Sequence, residues 1–492
     1  MRVNNVVDRI EVLGQNKYVQ WGIWGAYTLL IMLLCSIHEP WIDEHKVWNM
    51  VYRLSMPDLL RAMRLEGHFC LWHLCVWPFV RLFNMDYHAL YIASVTLMSV
   101  AVWLMIFKLD FSFIGKLFII FSAPFFYFFP VIARCYALIP PILIGMAIVY
   151  QQKKNPFLYC FLVGLLAHTH VFMEGMVGIV WCLFVYYYVY IPYKNKELQR
   201  AKKNAWASLI TVLLVILAFV QIMGGIIDAA NGTSVACKVC NTPSDWMTYV
   251  YDKHHLYITT WLHDLVLHII PDIDFALTMV LYVIITVLLY KLIHQSQHKA
   301  ECTWTVTVSI FWQIIFGFTV YFMWFQRIYL LYLPILYVMW MIYQDKVSVR
   351  KYAIYIVLFF WLLNTPAQCD RISRDITEEY CFNASAAKQI EQHITEDYPI
   401  ISYADETSWL VRKNILFVYD NNAFENVLQH AYANDSVLYV ITLNDLFANS
   451  TVPYAVEPIF STVEGNNVFS EHGDSRKEVT LYQITRHERH AE

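Results

Sequence analysis

Long apolar runs recur along most of this chain, and they constrain its fold more than any other feature of the sequence. A helix that crosses a bilayer needs about 20 apolar residues, at about 1.5 Å of rise per residue. We therefore predict a mainly α, polytopic membrane protein of about 11 transmembrane helices. The predicted spans, several of them short, are residues 21–37, 88–107, 111–129, 136–150, 157–167, 171–190, 206–223, 275–293, 304–323, 328–343 and 352–363.

The composition agrees with a membrane protein. Hydrophobic residues make up 58% of the chain and charged residues only 15%, and the mean hydropathy is +0.44. A soluble domain carries about 25% charged residues, so the composition excludes a soluble fold. The formal net charge is −4, and basic residues cluster only in short loops. We therefore expect membrane lipids as partners and no nucleic acid.

Basic residues assign the loops to the two sides of the membrane. Arg2, Arg9 and Lys17 precede the first span, which we expect to be retained, with the N-terminus in the cytoplasm. The lysine-rich loops then fall inside, as the positive-inside rule requires: they contain Lys108 and Lys116, Lys153 and Lys154, and the lysines of residues 194–203, 291–299 and 346–351. The first long loop and the C-terminal tail are therefore predicted outside, at the cell membrane or, in a eukaryote, the endoplasmic reticulum.

The first outer loop is predicted to contain two short amphipathic helices at the interface. Apolar residues 47, 50, 51 and 54 recur at helical spacing, and a second stretch over 57–65 has Ser55 as its N-cap. Two solvated loop helices are the alternative. The apolar run 69–83 reaches only about 22 Å as a helix. We place it along the surface or as a re-entrant helix, because a full span would put the later lysines outside.

The tail differs from the rest of the chain. Short β-rich runs at 399–403, 415–419, 437–442 and 479–484 alternate with helical stretches at 386–394 and 422–432. This alternation predicts a small extracytoplasmic α/β domain with a partly parallel sheet over residues 365–492, after a transmembrane domain over residues 1–364. No Gly-rich phosphate loop precedes its helices, which argues against nucleotide binding.

Two adjacent carboxylates, Asp43 and Glu44, follow the first span at the predicted outer boundary. A carboxylate at the lipid boundary loses water, so its pKa rises and it becomes a usable general base for an acceptor hydroxyl or amine. The alternative is a solvated helix start, because Asp and Glu are favoured in first turns.

Two arginines are the only basic residues of their short predicted outer loops. Arg134 lies beside Tyr136, and Arg327 precedes a later span. The guanidinium group presents a planar fork of donors that suits phosphate oxygens. The alternative is that both arginines extend to lipid headgroups.

Histidines lie at the same predicted mouth. His168 and His170 follow the fifth span, and His68 follows the second amphipathic stretch. Imidazole groups that converge there can bind a divalent metal ion, the one cofactor that the sequence indicates. Residues at i and i+2 do not share a helix face, however, and a lone histidine is more often a structural hydrogen-bonding group. We assign His168 and His170 to the metal and His68 to substrate binding.

Together these features resemble the GT-C superfamily of membrane glycosyltransferases. Asp43 and Glu44 look like the Asp-Glu pair in the first outer loop of protein O-mannosyltransferases and of the bacterial lipid A aminoarabinose transferase group. The run GHFCLW from Gly67 is similar to the His-Pro-Pro-Leu-Tyr run of the bacterial members, with Phe69 and Cys70 in place of the two prolines. The resemblance covers the first ten or so spans in order.

The resemblance implies transfer of a sugar from a polyprenyl-phosphate-linked donor to a glycan, lipid or protein acceptor on the extracytoplasmic face. By that analogy Asp43 is the base, and Glu44 is its neighbour or a metal ligand. Arg134, Tyr136 and Arg327 are assigned to the carrier phosphate from charge and depth alone.

Two other classes stay open. A lipid-linked glycan polymerase or ligase handles the same donors, and it would more often place its key residues in a large middle outer loop such as 224–274. A membrane transporter would call for ionisable residues near the bilayer midplane. Most of the predicted spans carry only aromatic and aliphatic residues there.

Overall fold

In this computed structural model the chain is mainly helical, with one small sheet near its C-terminus. The residues that the structure describes are 2–66, 69–152, 155–230, 275–319, 327, 329–343, 345, 347–377, 382–403, 405–418, 424–429, 437–443, 454–464 and 477–486.

The chain divides into two compact units. The first, called the membrane unit below, comprises Met1–Leu34, Leu54–Val76 and Tyr91–Arg371. The second, called the loop-and-tail unit, comprises Cys35–Arg53, Trp77–Leu90 and Ile372–Glu492. Parts of the first outer loop are thus grouped with the C-terminal α/β region.

The α-helices mostly fall where the apolar runs and amphipathic stretches predict them, but the helix Arg2–Gly14 was not predicted, and within the predicted span 111–129 the α-helix covers only Phe113–Ile120. In chain order they are α1 (Arg2–Gly14), α2 (Lys17–Ile37), α3 (Ile42–Arg53), α4 (Met56–Glu66), α5 (Leu71–Arg81), α6 (His88–Phe107), α7 (Phe113–Ile120), α8 (Ile139–Gln152), α9 (Pro156–Leu166), α10 (Glu174–Phe184), α11 (Ile191–Lys194), α12 (Leu198–Ala230), α13 (Phe275–Gln295), α14 (Lys299–Thr319), α15 (Tyr332–Ile342), α16 (Val347–Thr377) and α17 (Asn383–His393).

Six helices among the described residues are long and apolar enough to cross a membrane, which makes this an integral membrane protein. They are Lys17–Ile37, His88–Phe107, Cys135–Gln152, Val171–Lys194, Leu198–Met223 and Val349–Thr377. Shorter apolar helices are Pro156–Leu166, Val280–Gln295 and Tyr329–Ile342. The total of about 11 spans and the orientation of the termini stay predictions.

The first outer loop forms short helices, as predicted. In α4, Leu59 and Met63 are buried while Arg61 is exposed, and the Asp58 N–H donates to Ser55 Oγ at 3.4 Å, as expected for an N-cap. Helix α5 has 11 residues and is about 17 Å long. It is therefore too short to span a bilayer.

A carboxylate joins the N-terminal helix α1 to the start of α7. Glu11 accepts hydrogen bonds from Ser112 Oγ at 2.6 Å, from the Phe113 N–H at 2.9 Å and from the Ile114 N–H at 3.2 Å. Glu11 thereby satisfies N–H groups that a helix start leaves without a partner. Next to it, a Cβ added at Gly14 would lie 2.1 Å from Phe113 Cγ, so this contact requires glycine.

The tail forms a five-stranded sheet of order β2-β1-β3-β5-β4. Strand β1 pairs in parallel with β2 and β3, while β5 pairs antiparallel with β3 and β4, so the sheet is partly parallel as predicted. Strand β4 was not predicted; it lies at the sheet edge, where the register shifts between Pro458 and Phe460 and proline is tolerated. The strands are β1 (Ile400–Tyr403), β2 (Ile415–Val418), β3 (Val437–Leu443), β4 (Tyr454–Glu464) and β5 (Lys477–Arg486).

The sheet has its own apolar core. Phe424 and Leu428 pack in one buried cluster with Ile401, Val440 and Ile484, which come from β1, β3 and β5. These strand residues therefore pack against a helical segment.

We expect Glu11→Gln to destabilise the membrane unit by about 1–2 kcal/mol, because a neutral amide replaces the charged acceptor at the start of α7. The thermal unfolding midpoint of the detergent-purified protein would fall. Asp8→Asn is the control, since Asp8 is exposed on the same helix, and its midpoint should not change. Equal midpoints for the two variants would contradict the capping role.

Candidate functional site

Arg134, Tyr136 and Arg327 come together in the membrane unit. Arg134 precedes the 3-10 turn Cys135–Leu138, which leads directly into α8. Arg327 Nε donates to Tyr136 Oη at 3.2 Å. Arg134 Cζ lies 5.5 Å from the centroid of the Tyr136 ring, within the range of a cation–π contact. One tyrosine thus joins two guanidinium groups that come from distant parts of the sequence.

This cluster, called the arginine–tyrosine cluster below, is partly open. Tyr136 is fully buried, whereas Arg134 and Arg327 are both half-buried. Guanidinium groups present planar donors that match the oxygens of a phosphate group. The chemistry of the cluster therefore suits a phosphate group.

His170 borders the same cluster, whereas His168 has a different environment. The His170 ring lies 5.2 Å from the Tyr136 ring, and its Nδ1 accepts from the Phe172 N–H at 3.3 Å, as the N-cap of the turn Val171–Met173. His168 Nε2 donates to the Leu214 carbonyl at 2.8 Å, and burial lowers the pKa of His168.

Both histidines therefore make hydrogen bonds to the backbone, as structural histidines do. Across the described stretches, no group of three or more His, Cys, Asp or Glu side chains could hold a metal ion. Metal binding at His168 and His170 stays a prediction. His68 and most of the middle outer loop, residues 231–274, lie outside the described residues.

Asp43 and Glu44 occupy the first turn of α3, in the loop-and-tail unit, and the structure gives them different environments. Asp43 is half-buried, whereas Glu44 is fully buried. Glu44 Oε2 accepts from the Trp41 N–H at 3.2 Å and lies 3.4 Å from His38 Nε2. On the other side of the ring, His38 Nδ1 lies 3.0 Å from Asp375 Oδ2. No role for His38 or Asp375 was predicted from the sequence.

The two carboxylates determine the charge of His38. Burial alone lowers the pKa of this imidazole, but Asp375 and Glu44, one at each ring nitrogen, raise the pKa of His38 to about 10. His38 is therefore an imidazolium at neutral pH, and it donates to both carboxylates.

His45, in the same helix start, has the opposite character. Burial lowers the pKa of His45 to about 3, although Asp43 and the backbone of Glu406 act to raise it. The His45 ring lies 5.5 Å from the ring of Trp409. As a neutral, buried imidazole, His45 contributes no positive charge next to Asp43.

The C-terminal end of α3 is also held inside its unit. Tyr52 Oη donates to the Arg412 carbonyl at 3.4 Å. The Arg53 guanidinium donates to the carbonyls of Lys413 and Val411, each at 2.9 Å. The helix that carries Asp43 is therefore fixed at both ends, and fixed elements position reacting groups well.

We expect His38 to make stability depend on pH. The pKa of His38 in the folded state is about 10 against an ordinary value of 6.5. Because the folded state binds this proton more tightly, the stabilisation is complete below pH 6.5 and is lost as the pH rises to about 10. The measurement compares the thermal unfolding midpoints of the wild type and His38→Gln across that window. The difference should shrink with rising pH, and a constant difference would contradict the charged state of His38.

Comparison with known proteins gives a structural similarity and no family. No family model matches this chain, and no curated protein matches it. Among solved structures, the chain is similar to ArnT from Cupriavidus metallidurans bound to undecaprenyl phosphate: 10% of the sequence is identical, 93% of this chain and 97% of that chain are covered, and the TM-score is 0.41. Since the TM-score is below 0.5, we base no residue assignment on this similarity.

Proposed function

We propose that this chain transfers a sugar from a polyprenyl-phosphate-linked donor to an acceptor on the extracytoplasmic face of the membrane. The observation that carries the proposal is the joining of Arg134 and Arg327 through Tyr136. Two half-buried guanidinium groups beside a buried phenol suit the oxygens of a phosphate group. In this proposal the N-terminus is cytoplasmic and the α/β domain is extracytoplasmic.

The arginine–tyrosine cluster would bind the donor and stabilise its leaving group. When the bond between the sugar C1 and the phosphate oxygen breaks, negative charge grows on the phosphate. Cations that are already in place stabilise that charge without reorganisation. The lipid carrier supplies the leaving group itself, which fits a chain whose tail has no Gly-rich nucleotide loop.

Asp43 would activate the acceptor. Its carboxylate takes the proton from an acceptor hydroxyl or amine, the freed electron pair attacks C1 of the sugar, and the lipid phosphate leaves. Asp43 is half-buried in the first turn of α3, so it keeps an accessible surface for an acceptor. The acceptor is a glycan, a lipid or a protein, since all three carry such groups.

We expect Asp43→Asn to lower sugar transfer by about 10²–10⁴-fold, because an amide cannot accept the proton. The assay uses the full chain in liposomes that contain a radiolabelled polyprenyl-phosphate sugar and an acceptor mixture. Asp58→Asn is the matched control, since Asp58 is an exposed partner of Arg61, and its rate should equal that of the wild type. Full turnover by Asp43→Asn would remove Asp43 from the mechanism.

We expect Arg134→Gln and Arg327→Gln each to raise the KM for the donor about 10-fold to 100-fold. A charged hydrogen bond to phosphate contributes about 1.5–3 kcal/mol, and about 1.4 kcal/mol corresponds to one factor of ten. The same liposome assay, with varied donor density, measures this change. Arg200→Gln is the control, because Arg200 is an exposed partner of Glu197 on a predicted cytoplasmic loop. An unchanged donor KM in both cluster variants would argue against phosphate binding there.

A further inference from the structure

We propose that His38, Glu44 and Asp375 form a positioning device for Asp43, and that Glu44 takes no direct part in the chemistry. These three residues are called the histidine–carboxylate triad below, and all three belong to the loop-and-tail unit. This inference rests on the proposed function of Asp43 as the base.

Burial separates Glu44 from any substrate. The side chains of His38, Glu44 and Asp375 are all 0% exposed. Glu44 Oε2 contacts both His38 Nε2 and the Trp41 N–H, so this carboxylate is directed into its own unit. A residue that reacts with a donor or an acceptor must reach it, and Glu44 does not reach the surface.

Asp43 and Glu44 are adjacent in α3. The helix geometry therefore fixes the direction of the Asp43 side chain once the Glu44 side chain is held in place. Consecutive residues of an α-helix point about 100° apart around its axis. With Glu44 held inward at the first turn, the side chain of Asp43 leaves the helix on a different side, where it is half-buried. Rotation of the first turn of α3 would break the contacts of Glu44 with His38 and with the Trp41 N–H.

The triad links the start of α3 to a distant part of the chain. His38 lies in the short connection between α2 and α3, and Asp375 lies in the last turn of α16. The two residues are 337 positions apart in the sequence. Buried ionic groups are costly to desolvate, and apolar residues of equal volume often give equal or greater stability. A buried hydrogen-bonded network does hold its members in one geometry, which a reacting carboxylate needs.

The positioning role predicts different effects on kcat and on the KM for the donor. Displacement of a reacting group by about 1 Å costs about 10²-fold in rate. Donor binding is assigned to the arginine–tyrosine cluster of the membrane unit. No residue of the triad belongs to that cluster. Loss of the triad should therefore lower kcat and leave the KM for the donor unchanged.

The experiment measures kcat and donor KM for Glu44→Gln, for Asp375→Asn and for the double variant in the liposome assay. We expect each single variant to lower kcat about 10-fold to 100-fold, with the donor KM within about 2-fold of wild type. The double variant should be no slower than the slower single variant, because both carboxylates act through His38. Multiplied effects in the double variant would overturn the proposal, since they would mean that Glu44 acts independently of Asp375.

Two further variants separate positioning from stability. Removal of one triad member leaves a buried charge without its partner, which can prevent folding. The triple variant His38→Gln, Glu44→Gln, Asp375→Asn keeps polar groups at all three positions and removes the charge from each, and we expect it to fold with the same loss of kcat. Glu11→Gln is the comparison for stability alone, with a lower thermal midpoint and an unchanged kcat.

The outcomes distinguish this inference from the proposed function. If Asp43→Asn is inactive while the folded triple variant turns over at the wild-type rate, the positioning role is overturned and Asp43 stays the base. If Asp43→Asn turns over normally, the assignment of Asp43 as base is overturned, and the positioning role with it.

Discussion

The fold of this protein is constrained first by the core of the bilayer, which contains no water to hydrogen-bond the backbone. A backbone that crosses lipid must satisfy its N–H and C=O groups internally, so it crosses as helices. Charged groups are costly within the apolar core and concentrate where helices begin and end. Arg134 accordingly lies at the start of the segment that leads into α8. The membrane therefore sets the positions at which charged groups can act before any substrate is considered.

Two buried histidines lie seven residues apart in one short segment. One is charged and the other is neutral, because their surroundings differ. His38 has a carboxylate at each ring nitrogen and keeps its proton, while His45 is buried against Trp409 and loses it. The charged His38 fixes Glu44, and the neutral His45 adds no cation beside Asp43.

Much of the fold could be predicted from the sequence, because its signals are local. Apolar runs located most of the helices, and short β-rich runs located four of the five strands. Strand β4 was missed, since it carries Pro458 and lies at an edge. The grouping of Arg134 and Arg327 with Tyr136 followed from charge and predicted depth. The difference between Asp43 and Glu44 could not be predicted, because adjacent acids have the same local pattern. The contact of His38 with Asp375 joins positions 337 apart, and no local pattern encodes such a contact.

The proposed function assigns donor binding and acceptor activation to separate compact units. The arginine–tyrosine cluster belongs to the membrane unit, and Asp43 with the histidine–carboxylate triad belongs to the loop-and-tail unit. A polyprenyl phosphate is itself a membrane lipid, so its phosphate is suitably bound by residues at the ends of spans. Acceptors differ far more in size and polarity, and a loop joined to an α/β domain offers surfaces that can vary without altering the spans.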